Sequence, residues 1–187
     1  MADRWPRYVP VTFATGVNVS PEHLNTLNRA GLPKRLLDGD MILEEPVGFD
    51  VPNYGYLIRF AQGGRGGFYF DPLSGKVLDV IDRPGPPPRV VNSTLDQFTS
   101  TVKAIIEAFP FYLRLRDDWD DAELDAVFHE RASVAARLRQ RLVAIDPAAG
   151  IRNGFWDGFL VDLMDGEYAT EDILGDDYLP PDPAASE

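Results

Sequence analysis

The feature that most constrains the fold is a block of short apolar segments joined by turn residues near the middle of the chain. Segments 56–60, 67–70 and 76–81 are rich in aromatic and branched aliphatic residues, a composition typical of β-strands. Residues 71–75 read Asp-Pro-Leu-Ser-Gly, and a turn sequence of this kind between two strands predicts a hairpin over 67–81.

The region before these strands predicts one helix and then a largely irregular stretch. Ser20 is suited to the N-cap, Pro21 to the first helical position and Gly31 to the end of this helix. Glycines and prolines interrupt residues 34–55, so we expect a loop there with one short strand around 41–43.

The glycine-rich segment 63–67 has two readings. Its composition resembles a phosphate-binding loop, but such a loop places its backbone N–H groups at the start of a helix. Here the glycines lie between two predicted strands, and no Lys-Ser/Thr pair follows them. We therefore expect a flexible β-turn.

The chain after a short predicted strand at 89–91 is expected to be helical. Thr94 and Gln97 have the spacing of a capping box, Asp120 and Asp121 can cap a long helix, and a last helix is expected over 154–164. One helix, then hairpin strands, then helices is the order of an α+β fold. The predicted buried stripe of the long helix is Leu124, Val127, Phe128, Ala135, Leu138, Leu142 and Ile145, and Phe155, Trp156 and Phe159 are predicted core of the last helix.

Composition bounds the class of protein. A chain of 187 residues with 44% hydrophobic residues predicts one folded domain, which we place at 1–178, followed by a disordered acidic, proline-rich tail at 179–187. The absence of cysteine excludes disulfides, thiolate metal sites and a cysteine nucleophile. The chain has no membrane-length apolar run and no signal-peptide core, so we expect a cytoplasmic protein with no membrane partner.

The charge is distributed unevenly along the chain. The formal net charge is −12, and residues 117–187 carry 18 acidic against 5 basic residues, whereas 1–116 are nearly balanced. Such an acidic half would repel nucleic acid and attract a basic partner. A solvated acidic face with no binding role is the alternative reading.

Signals of catalysis are weak. The two histidines, His23 and His129, lie in predicted helices outside any metal-binding motif, and structural or exposed roles are expected for both. The aspartates of segment 117–121 could bind calcium, but the segment lacks the glycine and glutamate of an EF-hand loop, and helix capping explains it without a metal. We expect no enzyme, no cofactor and no metal; a hydrolase that uses paired carboxylates is the rival reading.

The last predicted helix and the residues after it mix acidic with aromatic and aliphatic side chains. This mixture suits an interface with apolar anchors and a charged rim, although the apolar residues could equally pack back onto the domain. The predicted partner-binding residues are Asp157, Asp162, Asp165, Glu167, Tyr168, Glu171, Asp172, Asp176 and Asp177.

The order of several short motifs resembles the fourth subgroup of the SUKH (Smi/Knr-like) superfamily. The resemblance covers roughly residues 20–168 and leaves the segment before Ser20 and the acidic tail without clear counterparts. Its motifs are Gly31-Leu32-Pro33, the strand pair 56–60 and 68–71, the turn and strand 72–77, the segment Val91-Asn92-Ser93-Thr94-Leu95-Asp96-Gln97-Phe98, Ile145-Asp146-Pro147, Trp156 and Gly166-Glu167.

The resemblance implies a curved antiparallel sheet with helices packed against it. It also implies a bacterial immunity protein that binds and neutralises a cognate polymorphic toxin, often a nuclease or a nucleic-acid deaminase, without catalysis of its own. Because enzymes acting on nucleic acid need basic grooves, we expect the acidic residues 157–177 to face such a toxin. A regulatory or scaffold adaptor on the same fold, binding a basic protein, is the alternative.

Overall fold

The computed structural model describes six ranges of the chain. Residues 41–44 are described through their backbone alone. The predicted tail 179–187 lies outside the described residues, so its boundary with the domain stays a prediction. The described ranges are 9–13, 19–33, 41–62, 66–81, 87–112 and 119–169.

Five strands form one antiparallel sheet in which spatial order follows chain order. The turn at 71–75 is held by the N–H of Gly75, which donates to the carbonyl of Asp71 at 2.8 Å, and the predicted hairpin is confirmed. The strands are β1 (Met41–Val51), β2 (Gly55–Gln62), β3 (Gly66–Phe70), β4 (Val77–Ile81) and β5 (Arg89–Asn92).

The short strand predicted around 41–43 is confirmed as the start of β1, but β1 runs through 11 residues, so the prediction of a loop is wrong for 44–51. Residues 34–40 of the predicted loop lie outside the described residues. Pairing with β2 overrides the local turn residues in β1. Pro46 is accommodated because the register between the two strands shifts between Ile42 and Val47. A bulge is one of the few places where a residue without an N–H group fits into a sheet.

Helices precede and follow the sheet, and the mixed α+β class is confirmed. Ser20 caps the first helix and Gly31 ends it in the left-handed conformation, with φ of 65°. Among the described residues, no helix is both long and apolar enough to cross a membrane. The helices are α1 (Pro21–Ala30), α2 (Leu95–Ala108), α3 (Asp121–Ile145) and α4 (Phe155–Asp165), with a 3₁₀-helix (Pro147–Gly150) between the last two.

The start of α2 differs in detail from the predicted capping box. The Thr94 hydroxyl accepts the N–H of Gln97, but the Gln97 side-chain amide donates to the carbonyl of Ile145, at 3.3 Å, so it ties α2 to the end of α3. A complete capping box is found instead at the start of α3, between Asp120 and Glu123.

The buried stripe of α3 was predicted correctly only in its second half. Phe128 is 52% exposed, whereas Arg131 is buried and Val134 lies in the core. In the first turns of α3, Leu124 and Val127 are only partly buried, so helical spacing predicts a shared face there but not its full burial.

The core lies between one face of the sheet and the helices, and aromatic rings meet at its centre. Phe98 of α2 is fully buried, with ring centroids of Phe60 and Phe68 within 5.6 Å and the ring of Trp156 at 6.5 Å. In the described residues, a smaller apolar cluster on the opposite face of the sheet consists of strand residues only. The helices therefore pack on one face.

Truncation of Phe98 tests this core. Phe98→Ala removes the ring at the centre of the aromatic cluster and should lower the free energy of unfolding by about 3–5 kcal/mol in a denaturant titration. The matched control Phe128→Ala should lower it by about 1 kcal/mol or less, because Phe128 is half exposed. Equal losses in the two variants would contradict the packing described here.

Candidate functional site

A buried carboxylate anchors the segment that leads into α4. Asp146 is fully buried and accepts hydrogen bonds from the Asn92 amide at 2.9 Å, from the backbone N–H of Ser93 at 2.7 Å and from the Ser93 hydroxyl at 2.9 Å. The backbone N–H of Ala148 adds a fourth, at 3.0 Å. The side-chain oxygen of Asn92, Oδ1, in turn accepts the indole N–H of Trp156 at 3.0 Å. One network thus joins β5, the end of α3 and the first turn of α4.

The balance of burial and hydrogen bonding sets the ionisation of Asp146. Burial by itself raises the pKa of this carboxyl, because it disfavours the charged form. The donors from Ser93, Ala148 and Asn92 outweigh burial, and the net effect is a lowered pKa. The carboxylate therefore stays charged, and its lone pairs hold the surrounding donors in place.

The start of α4 is fixed by Asp157 in its first turn. Its carboxylate pairs with the Arg139 guanidinium at 2.5 Å and accepts the backbone N–H of Asn153 at 2.7 Å. These two donors lower the pKa of Asp157, the Arg139 bond contributing most. Asp157 was predicted to bind a partner, and the structure places it in a contact within the protein.

The end of α4 is held by a tyrosine and a buried arginine. The Tyr112 hydroxyl donates to the carbonyl of Leu163 at 2.6 Å and accepts the N–H of Tyr168 at 3.1 Å. The buried Arg131 guanidinium lies 4.8 Å from the centre of the Tyr112 ring, and it donates to the carbonyl of Asp165 at 3.4 Å. A cation at this position also suits the negative end of the helix dipole. Both ends of α4 are thus fixed to the core.

A half-open cleft of about 260 Å³ lies between α4, α2 and the sheet. Arg89 stands on one side of it, 5.7 Å from the ring centre of Phe155, and forms an ion pair with Asp79 at 2.6 Å. Gly158 and Asp162 line the α4 side. The aromatic side chains of the cleft are Phe68, Phe155, Trp156, Phe159 and Tyr168.

Three of the predicted partner-binding residues lie exposed at the end of α4 and just after it. Asp162, Asp165 and Glu167 form no ion pair with any residue that the structure describes, so their charges face solvent. Tyr168 is half-buried, with its ring 4.8 Å from that of Phe159. The others, Glu171, Asp172, Asp176 and Asp177, lie outside the described residues.

Other sequence candidates do not meet at a site. Asp120 acts as the cap of α3, and Asp117 and Asp118 lie outside the described residues. His129 is exposed, with its ring nitrogen 2.9 Å from the carbonyl of Asp125. The described ranges contain no cluster of three or more His, Asp or Glu residues that could hold a metal.

Sequence reasoning missed the cleft. It placed Phe155 and Phe159 in the core. Both pack against the core cluster, but they are only partly buried and also line the cleft together with Arg89. One signal was available in the sequence: Gly158 stands in the middle of a predicted helix, where glycine is unfavourable.

The fold and the cleft define an α+β protein with helices on one face of a sequentially ordered antiparallel sheet and an aromatic cleft beside exposed carboxylates. The model of the SUKH-4 immunity protein family matches residues 3–162. The chain belongs to this family, and the resemblance described above is confirmed. Its role is accordingly that of an immunity protein, with a cognate toxin as its partner.

The bounds of the family match differ from those of the resemblance at both ends. The match begins at residue 3, so the segment before Ser20 does have a family counterpart. It ends at Asp162, and nothing about the acidic residues beyond that point follows from the family. No curated protein and no solved structure matches the chain.

The Asp146 network can be tested by removing its charge. Asp146→Asn preserves the shape but places an amide N–H₂ among donors, so the free energy of unfolding at neutral pH should fall by about 2–4 kcal/mol. Because the folded-state pKa is lowered, the contribution of Asp146 is complete above the ordinary value of 3.8 and is lost as the pH falls below it.

Denaturant titrations from neutral pH down to about pH 3 measure both effects. The wild type should lose more stability than Asp146→Asn over the acidic part of this range. The exposed Asp50→Asn variant serves as the control and should follow the wild type. An Asp146→Asn protein as stable as the wild type at neutral pH would contradict the role given to the network.

Proposed function

We propose that this SUKH-4 protein acts in the cytoplasm by binding a cognate nuclease or nucleic-acid deaminase toxin directly, and that it blocks the toxin by covering its basic substrate groove. It performs no turnover itself. The acidic surface of α4, together with the acidic residues that follow it, faces the toxin. The observation that carries the proposal is that Asp162, Asp165 and Glu167, at the end of α4, form no ion pair with any described residue, in a region (117–187) with 18 acidic and 5 basic residues.

The position of these carboxylates supports the proposal. Asp162, Asp165 and Glu167 lie together at the end of a helix whose two ends are fixed by hydrogen bonds. A rigid surface loses little conformational entropy when a partner binds. Exposed carboxylates without an ion pair also raise the rate at which a basic partner is captured.

Exposed apolar side chains interleave with these charges on α4. Val161 and Met164 are among the more exposed large hydrophobic residues of the described chain. Apolar contact area within a charged rim is the usual composition of a protein interface. The same helix therefore offers both steering charge and contact area.

Co-expression tests the function itself. The candidate toxin domain is the one encoded by the neighbouring open reading frame, produced in a host whose growth it arrests. Co-expression of this protein should restore growth, and the two purified proteins should form a stable complex that lacks toxin activity. Growth arrest that persists despite soluble expression of both proteins would refute the proposal and favour the adaptor alternative.

Charge reversal tests the surface. The triple variant Asp162→Lys, Asp165→Lys, Glu167→Lys should lower the association rate with the toxin at least about tenfold at low salt and should weaken its dependence on salt. Surface plasmon resonance over a series of salt concentrations measures both quantities. Reversal of Asp172, Asp176 and Asp177 should act in the same direction.

The matched control reverses three exposed carboxylates on other elements. Glu22→Lys, Glu45→Lys, Asp50→Lys changes the net charge by the same amount and leaves α4 intact. It should slow association much less. Equal effects of the two triple variants would mean that net charge alone matters and that α4 does not face the toxin.

A further inference from the structure

Gly158 is anomalous because no contact with the described part of the protein requires a glycine there. It lies in the middle of α4, is exposed, and glycine is among the poorest helix formers. Apart from its chain neighbours and its own helix backbone, an added Cβ would meet nothing within 4 Å among the described residues. By contrast, Gly166 has φ of 101° and would place a Cβ against Arg131.

Gly158 also lies next to a possible binding site. It lines the aromatic cleft, one helical turn from Asp162, which also lines it. An unfavourable residue that leaves open space beside a cleft is explained if another molecule approaches the helix closely at that point. The open space over Gly158 and the cleft then form one continuous surface.

The chemistry of the cleft selects its occupant. Aromatic ring faces attract a cation, and Asp162, which forms no ion pair with any described residue, adds a negative charge to the lining of the cleft. Among the described residues, Arg89 is the one cation that lines the cleft, and its charge is balanced by the ion pair with Asp79. A volume of about 260 Å³ lies at the lower end of the range of binding pockets and is sufficient for a single side chain.

We infer that an arginine side chain of the toxin inserts into this cleft, stacks on its aromatic rings and pairs with Asp162, while the toxin backbone passes over Gly158. Arginine fits better than lysine, because a planar guanidinium stacks on rings and binds a carboxylate with two donors at once. The inference rests on the proposed function and specifies where on the acidic surface the toxin is held.

Substitution of Gly158 separates stability from binding. Gly158→Ala should raise the melting temperature by about 2–4 °C, because alanine favours the helix and has room. Gly158→Leu should fold as well but weaken binding of the neighbouring-gene toxin domain at least about tenfold, because the side chain blocks the approach. Isothermal titration calorimetry and thermal unfolding measure the two effects.

The control for added bulk is Ala136→Leu, an exposed position on α3 outside the cleft. It enlarges a helix surface in the same way and should leave toxin affinity unchanged. If Gly158→Leu binds as tightly as the wild type, the toxin does not approach α4 here and the inference is wrong. A wild-type protein that fails to bind the toxin at all would refute the proposed function instead.

The pair Asp162→Asn and Asp165→Asn tests the bound arginine with equal changes in net charge. Asp162→Asn should raise the dissociation rate about tenfold, because it removes the partner of the inserted guanidinium. Asp165 does not line the cleft, so Asp165→Asn should change mainly the association rate. Equal dissociation rates for both variants, with Gly158→Leu still weakened, would exclude the arginine as occupant.

Discussion

The rest of the structure depends on a single buried carboxylate. Asp146 lies where the long helix ends, and its hydrogen bonds join β5, the 3₁₀-helix and, through Asn92, the indole of Trp156. A charge in this position is tolerated only because four donors surround it and lower its pKa. Elements separated by more than fifty residues in the chain are thereby held in one arrangement. Asn92, Asp146 and Trp156 each belong to a sequence motif that indicated the family, and all three take part in this network.

The network has a consequence at the surface. It holds the first turn of α4 through the buried side chain of Trp156. Asp157 and Tyr112 hold the two ends of the helix. The exposed carboxylates and the half-open cleft therefore lie on a helix that hydrogen bonds hold in place, and such a surface loses little conformational entropy when a partner binds. On α4, Asp157 is thus paired within the protein and holds the helix, whereas Asp162 and Asp165 are exposed to solvent.

Much of the fold was predictable because it depends on local chemistry. Helix caps such as Ser20 and Asp120 and the turn at 71–75 act through hydrogen bonds between near neighbours, so sequence reasoning placed them correctly. The length of β1 was underestimated, because its pairing with β2 is a tertiary contact that outweighs local glycines and prolines. Phe128 was misplaced because helical spacing says which residues share a face and not whether another element covers that face.

The sequence by itself determined the α+β class, the position of most elements, the family and the acidic excess of the second half, since each is a property of residue order or composition. Only the tertiary structure decided which carboxylates are free. Asp157 and Asp162 are five residues apart on one helix, yet one is paired with Arg139 and the other faces solvent beside an aromatic cleft. Charge and spacing along the chain cannot distinguish them, because the difference comes from which distant residues the fold brings alongside.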